Sequence, residues 1–246
     1  MEFERQPITV LAATGVEWRA VRHALAGAGN PPWVALVRCG IALSRWESPP
    51  PPAPALVTCG LAGGLRPDLR PGTVVVADSV TMEDGEPVTC NPGLVAVLVA
   101  GARACGREPV VGPVLTARLM VVGTARQTWA EKGFVAAEME TGLLAPTGAP
   151  LGCLRVVLDA PGREVSARWS RGGRAALDPR RWAEALWLAA RAPGYARRAA
   201  RCLAAGLARA ESQGVPPGPP DQPSAASCEE AMTRATTPSS ETSTPR

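Results

Sequence analysis

Histidine, lysine and the single-ring aromatics are nearly missing from this sequence. His23 is the one histidine, Lys132 the one lysine, and Phe and Tyr together number three. A single histidine excludes chemistry that needs two, and with it most Ser-His-Asp triads. His23 lies in a run with helical spacing and reads as a surface residue. Acid–base chemistry therefore falls to carboxylates. The seven cysteines (39, 59, 90, 105, 153, 202, 228) are odd in number and contain no C-x-x-C pair. That pattern argues against a disulfide framework and against a zinc site, and it fits a reducing cytoplasm. The glycine-rich stretch 59–64 matches neither G-x-G-x-x-G nor a P-loop, so no nucleotide cofactor is indicated. The longest apolar run, 93–102, is too short to span a bilayer. The charged first residues carry no signal-peptide pattern, so the expected location is the cytoplasm. A formal net charge of +4 is too small to imply a nucleic-acid partner.

What is present is enough apolar sequence for a sizeable core, 46% of 246 residues. Buried strands are expected at 8–13 (ITVLAA), 33–37 (WVALV), 55–57, 73–76, 134–137 and 153–158 (CLRVVL), from their continuous apolar runs. A further strand at 109–115 should bend at Gly112-Pro113. Helical spacing marks 16–26, 93–105 and 123–131. Two more helical runs, 179–191 and 194–210, are expected to be split by Pro193-Gly194. Strands alternating with helices indicate an α/β fold with a mixed, mostly parallel central sheet flanked by helices. We expect one domain over 7–211, including an Arg-rich helical part at 174–211. The Pro/Ser/Thr-rich 213–246 cannot bury enough surface to order itself and is expected to be a disordered tail.

In parallel α/β sheets ligands gather at the carboxyl ends of strands. Reading each strand to its end gives Glu17, the glycine-rich turn expected at 60–64, the Met139-Glu140 pair and Asp159. Glu17 and Glu140 are also explained by helix-dipole pairing, and the glycines by packing alone. Convergence on one rim is what gives them force together.

These residues carry a resemblance. The blocks ITVLAATGVE (8–17), VRCGIA (37–42), VTCGLAGGLRPDLRPGTVVVAD (57–78), AAEMET (136–141) and LRVVLD (154–159) resemble, in order and spacing, the purine and uridine phosphorylase/methylthioadenosine nucleosidase superfamily. The LRVVLDAPGR segment and the Arg-rich C-terminus look closest to the hopanoid-associated phosphorylase, or adenosylhopane nucleosidase, branch. The resemblance implies a nucleoside phosphorylase-like fold and cleavage of a purine N-ribosyl bond with release of adenine, from adenosylhopane in hopanoid biosynthesis. It implies Asp159 and Glu17 as catalytic residues, Asp159 facing the purine N7 and Glu17 orienting and deprotonating water. It implies Glu140, Met139 and Glu138 as substrate-binding residues, Glu140 taking the ribose hydroxyls. Gly60, Leu61, Ala62 and Gly63 would line the nucleophile side. Phosphorylases of the superfamily tend to carry an Arg where this chain has Thr58 and a Ser or Thr where it has Leu61. That difference favours water, with phosphate as co-substrate the alternative.

Departures from the pattern are the proline run 49–52, the prolines at 146 and 150, and Leu158 where many relatives carry Ser. The expected partner is a small nucleoside, free or lipid-linked, with homo-oligomers as a further expectation. The basic C-terminal helices, where Leu203 and Leu207 share one face, read as a terminal helix packed on the sheet with a solvated basic side. The alternative is peripheral contact with anionic lipid at the inner face of the membrane. A non-catalytic nucleoside-binding relative is the third reading, and retention of all three carboxylates argues against it.

Overall fold

The computed structural model describes residues 7–47, 54–166 and 182–213. The proline run 49–52 and the tail expected at 213–246 lie outside these residues except for Gln213, which ends the last helix. Strand β1 (Ile8–Ala12) is buried at every position, and α1 (Gly15–Gly27) follows it directly. Next come β2 (Val34–Arg38), the long β3 (Ala55–Gly64), β4 (Val74–Met82), the short β5 (Val88–Thr89) and α2 (Pro92–Ala104). Then β6 (Val110–Thr116), α3 (Thr124–Glu131), β7 (Ala136–Glu138) and β8 (Leu151–Asp159) complete the sheet, and α4 (Trp182–Gln213) closes the described chain.

Five of the strand pairings are parallel and three antiparallel, so the sheet is mixed and mostly parallel, as expected. The pairings also close on themselves. β3 pairs β8, β8 pairs β4, β4 pairs β6, β6 pairs β7, and β7 returns to β3. This ring of five strands carries β1 and β2 as an extension from β3. The bend expected at Gly112-Pro113 is present as a register shift in the β4–β6 pairing, between Ala77 and Val80.

Local signals explain the helix starts. Thr14 caps α1 in a capping box with Glu17, and Asn91 caps α2 ahead of Pro92. Two expectations are corrected. The glycine stretch 59–64 is not a turn: it is the second half of β3, hydrogen-bonded to β8 and β7, and none of Gly60, Gly63 and Gly64 has positive φ. A strand with little side chain on it still forms a full ladder, because the ladder is made by backbone. Likewise, α4 is not split at Pro193-Gly194. Proline removes one rung of the helix, and the half that follows is fixed by Ala199, Cys202, Leu203 and Leu207, all buried in the core cluster with β1, α1 and α2. Leu203 and Leu207 thus face inward, with Arg197, Arg201 and Arg209 exposed.

Candidate active site

The carboxyl end of β1 delivers Thr14 and Glu17. Glu17 Oε2 accepts from the Thr14 backbone N–H at 2.8 Å and from its hydroxyl at 2.7 Å, while Oε1 accepts from Leu61 N–H on β3 at 2.7 Å. The same carboxylate caps a helix and bridges two strands. Gly60 makes room for it: a Cβ there would lie 2.3 Å from Glu17 Oε1 and 2.8 Å from Arg155 Nη1. The close approach that glycine permits is therefore to the protein's own charged groups. Leu61, Ala62 and Gly63 line the cavity described below, with Gly60 behind them.

β7 ends in Glu138, and Met139 and Glu140 follow. Glu138 is fully engaged inside the wall. It accepts from Thr116, from the backbone N–H groups of Glu140 and Thr141, and from the buried guanidinium of Arg155. Glu140 is less committed, with Ala42 N–H donating to Oε1 at 3.2 Å and Arg155 Nη2 to Oε2 at 3.3 Å. Burial pushes the Glu140 carboxyl up to about 8; Arg155 opposes this, and Glu138 and Glu17 add to it. The Ala42 donor comes from an unusual piece of backbone. The segment at 41–46 holds Ala42 and Leu43 at φ of 51° and 56°. Side-chain-bearing residues rarely adopt that region.

β8 ends in Asp159, which is buried. Its Oδ2 accepts from Arg126 Nη2 at 2.6 Å and from Val165 N–H at 2.6 Å. Burial raises the Asp159 carboxyl above its ordinary value, and Arg126 and the Val165 bond pull it down. Arg126, on α3, is the residue that sequence reading missed. It sits in a helix of only 8 residues, 33 residues from its partner, and no local pattern marks it.

These groups meet around a cavity of about 590 Å3 lined by Glu17, Met139, Glu140, Arg126 and Asp159. The rest of the lining is largely apolar, including Ile41, Leu119, Val121, Leu158 and Leu188, the last from α4. Three carboxylates from three strand ends thus share one volume, as the strand-end reading anticipated. Among the described residues no cluster of three or more His, Cys, Asp or Glu side chains is placed to hold a metal ion.

The sequence model of the phosphorylase superfamily matches residues 51–178, which span β3 through Asp159. The chain belongs to the phosphorylase superfamily. Membership in this superfamily of enzymes agrees with the fold of solved structures. The 5′-methylthioadenosine/S-adenosylhomocysteine nucleosidase of Helicobacter pylori superposes with a TM-score of 0.60 at 15% identity, over 84% of this chain and 99% of that one. The corresponding nucleosidase of Neisseria meningitidis gives a TM-score of 0.64 at 16% identity, over 83% and 99%. Futalosine hydrolase of Helicobacter pylori gives 0.59 at 16% identity, over 83% and 98%. No curated protein sequence matches the chain.

Proposed function

We propose that this superfamily member is a purine nucleosidase that cleaves an N-ribosyl bond with water and releases adenine. The observation that carries the reading is the meeting of Glu17, Glu140 and Asp159 at one cavity. Breaking the bond builds positive charge on the ribose and negative charge on the base. Glu140 accepts hydrogen bonds from the ribose 2′ and 3′ hydroxyls and offsets the first charge, with Met139 against the sugar. Asp159 gives a proton to purine N7 as the bonding pair passes to the base. Glu17 takes a proton from the water whose oxygen bonds to ribose C1′. The structural neighbours described as nucleosidases and a hydrolase support water as nucleophile, as does Leu61, which offers the nucleophile side no side-chain donor.

The largely apolar lining supports a nucleoside with a bulky apolar 5′ substituent, and adenosylhopane in hopanoid biosynthesis is the substrate we assign. Peripheral contact with anionic lipid belongs to this assignment. It is supported by Trp182 and Leu186, 59% and 71% exposed on the part of α4 that flanks the cavity, and by Leu119, 65% exposed beside it. We place the enzyme in the cytoplasm or at the inner membrane face.

One observation favours phosphorolysis as a second reading. A Cβ on Gly15, at the start of α1, would lie 3.5 Å from Arg38 Cζ and 3.7 Å from Arg19 Nη1. Two cations beside a helix N-terminus suit an oxyanion. The deciding experiment measures adenine release from methylthioadenosine, inosine and adenosylhopane, each with and without phosphate. We expect release without phosphate, fastest from adenosylhopane, and loss of most activity in Asp159→Asn. A strict phosphate requirement would establish the second reading, and near-wild-type turnover of the Asn variant would remove Asp159 from the mechanism.

A further inference from the structure

Asp159 lines the cavity, and its two oxygens are held unequally. Oδ2 is held by Arg126 Nη2 and Val165 N–H, both at 2.6 Å. Among the described residues no donor reaches Oδ1 within hydrogen-bond distance. Oδ1 lies toward the cavity wall at Gly63, where a Cβ would be 3.3 Å from it and 3.2 Å from Arg126 Nη2. Arg126 cannot swing away to follow a moving carboxylate. It is 2% exposed, and its other nitrogens donate to three backbone carbonyls: Nε to Val121 at 2.9 Å, and Nη1 to Gly64 at 2.9 Å and Asp159 at 3.3 Å. Those carbonyls belong to the segment before α3, the end of β3 and the end of β8. A buried guanidinium fixed by three parts of the chain is a rigid reference for whatever it touches.

We propose that Arg126 is a positioning residue for proton transfer to the leaving purine: by holding Oδ2 of Asp159 it assigns the transferable proton to Oδ1. The inference rests on the nucleosidase reading and deepens it. In the step itself the C1′–N9 bond breaks and its electron pair goes to the purine. The proton on Oδ1 passes to N7, and Asp159 is left as a carboxylate facing Arg126. Water supplies oxygen to C1′ and gives its proton to Glu17, so nucleoside plus water become purine plus free ribosyl hydroxyl. Glu17 returns that proton to solvent and Asp159 takes one up before the next turnover. Arg126 thus acts twice, first on orientation and then on the charge that the transfer leaves behind.

Among the described residues few charged groups face Asp159. Arg126 comes from α3, and Glu164, from the loop after β8, lies 3.7 Å from Arg126 Nε. Across the cavity are Glu17 and Glu140, and α4 contributes Ala185, Leu188 and Ala189 to the lining. Among the described residues Arg126 is the cation in contact with Asp159, so removing its charge should make the carboxyl a weaker acid.

The test compares Arg126→Gln and Arg126→Lys with wild type. In the Gln variant kcat should fall at least about tenfold with KM changed less than about threefold, as for loss of a step-specific effect. The basic limb of the kcat/KM profile, where Asp159 loses its proton, should move to higher pH. The Lys variant keeps the charge, so its limb should stay close to wild type and part of kcat should return. A folded Gln variant with an unmoved limb overturns the proposal. Carbon-13 NMR titration of the Asp159 carboxyl in the ligand-free protein separates this failure from failure of the function. Absence of purine release from the wild type sinks the nucleosidase reading, whereas identical Asp159 titrations in all three proteins sink the role of Arg126.

Discussion

Glu17 and Gly60 act as one unit, and neither is interpretable alone. The carboxylate needs the space that a side chain on β3 would fill, since a Cβ at residue 60 would fall 2.3 Å from Oε1. We therefore expect Gly60→Ala to displace Glu17 and lower kcat by about a hundredfold. The same change should cost about 1–3 kcal/mol of stability, because Arg155 Nη1 is also crowded. Adenine release and thermal unfolding of the variant check both numbers, and unchanged turnover would detach Glu17 from the reaction. At this scale the sequence was informative wherever a cavity-lining carboxylate comes shortly after the carboxyl end of a strand. Glu17, Glu140 and Asp159 each follow an apolar run, and position on a parallel sheet suffices to gather them. Arg126 and Glu138 were less legible for a physical reason. The role of each is fixed by what it touches across the fold, Asp159 for one and Arg155 for the other, and neither contact leaves a periodic trace.

Elements are held apart or together by backbone as much as by side chains. α2 and α4 cross with Gly101 against Cys202 O and Gly206 against Val97 O. Added Cβ atoms there would sit at 2.1 and 2.5 Å. Gly206→Ala should thus destabilise the protein by about 3 kcal/mol or more, because a backbone carbonyl cannot yield as a side chain can. Gly194→Ala, in the same helix with nothing within 4 Å, should stabilise it by about 0.5–1 kcal/mol. Chemical denaturation of the pair tests this, and equal effects would contradict the crossing geometry. The strand and helix order was readable from hydrophobic runs, and the bend at Gly112-Pro113 from its residue types. The glycine half of β3 and the unbroken α4 were not. Local propensity argues for a turn and a break at these places, and tertiary pairing and packing override it.

For the molecule as a whole, the closed strand ring faces α4 with its buried second half, while the first half flanks the cavity and exposes Trp182 and Leu186. No helix among the described residues is long and apolar enough to cross a membrane. The full chain should co-sediment with anionic vesicles, and the double variant Trp182→Ser/Leu186→Ser should lose most of that binding while retaining its fold. Equal binding by both would remove this face from the lipid reading. Sequence located the basic helices but not which stretch is uncovered, because exposure depends on where α4 meets α1 and α2. The double duty of Glu17 also constrains the history of the site. Its oxygens hold the first turn of α1 and tether that helix to β3. A lineage replacing Glu17 would have to find a new cap and a new tether as well, so a single substitution at residue 17 should be a dead end.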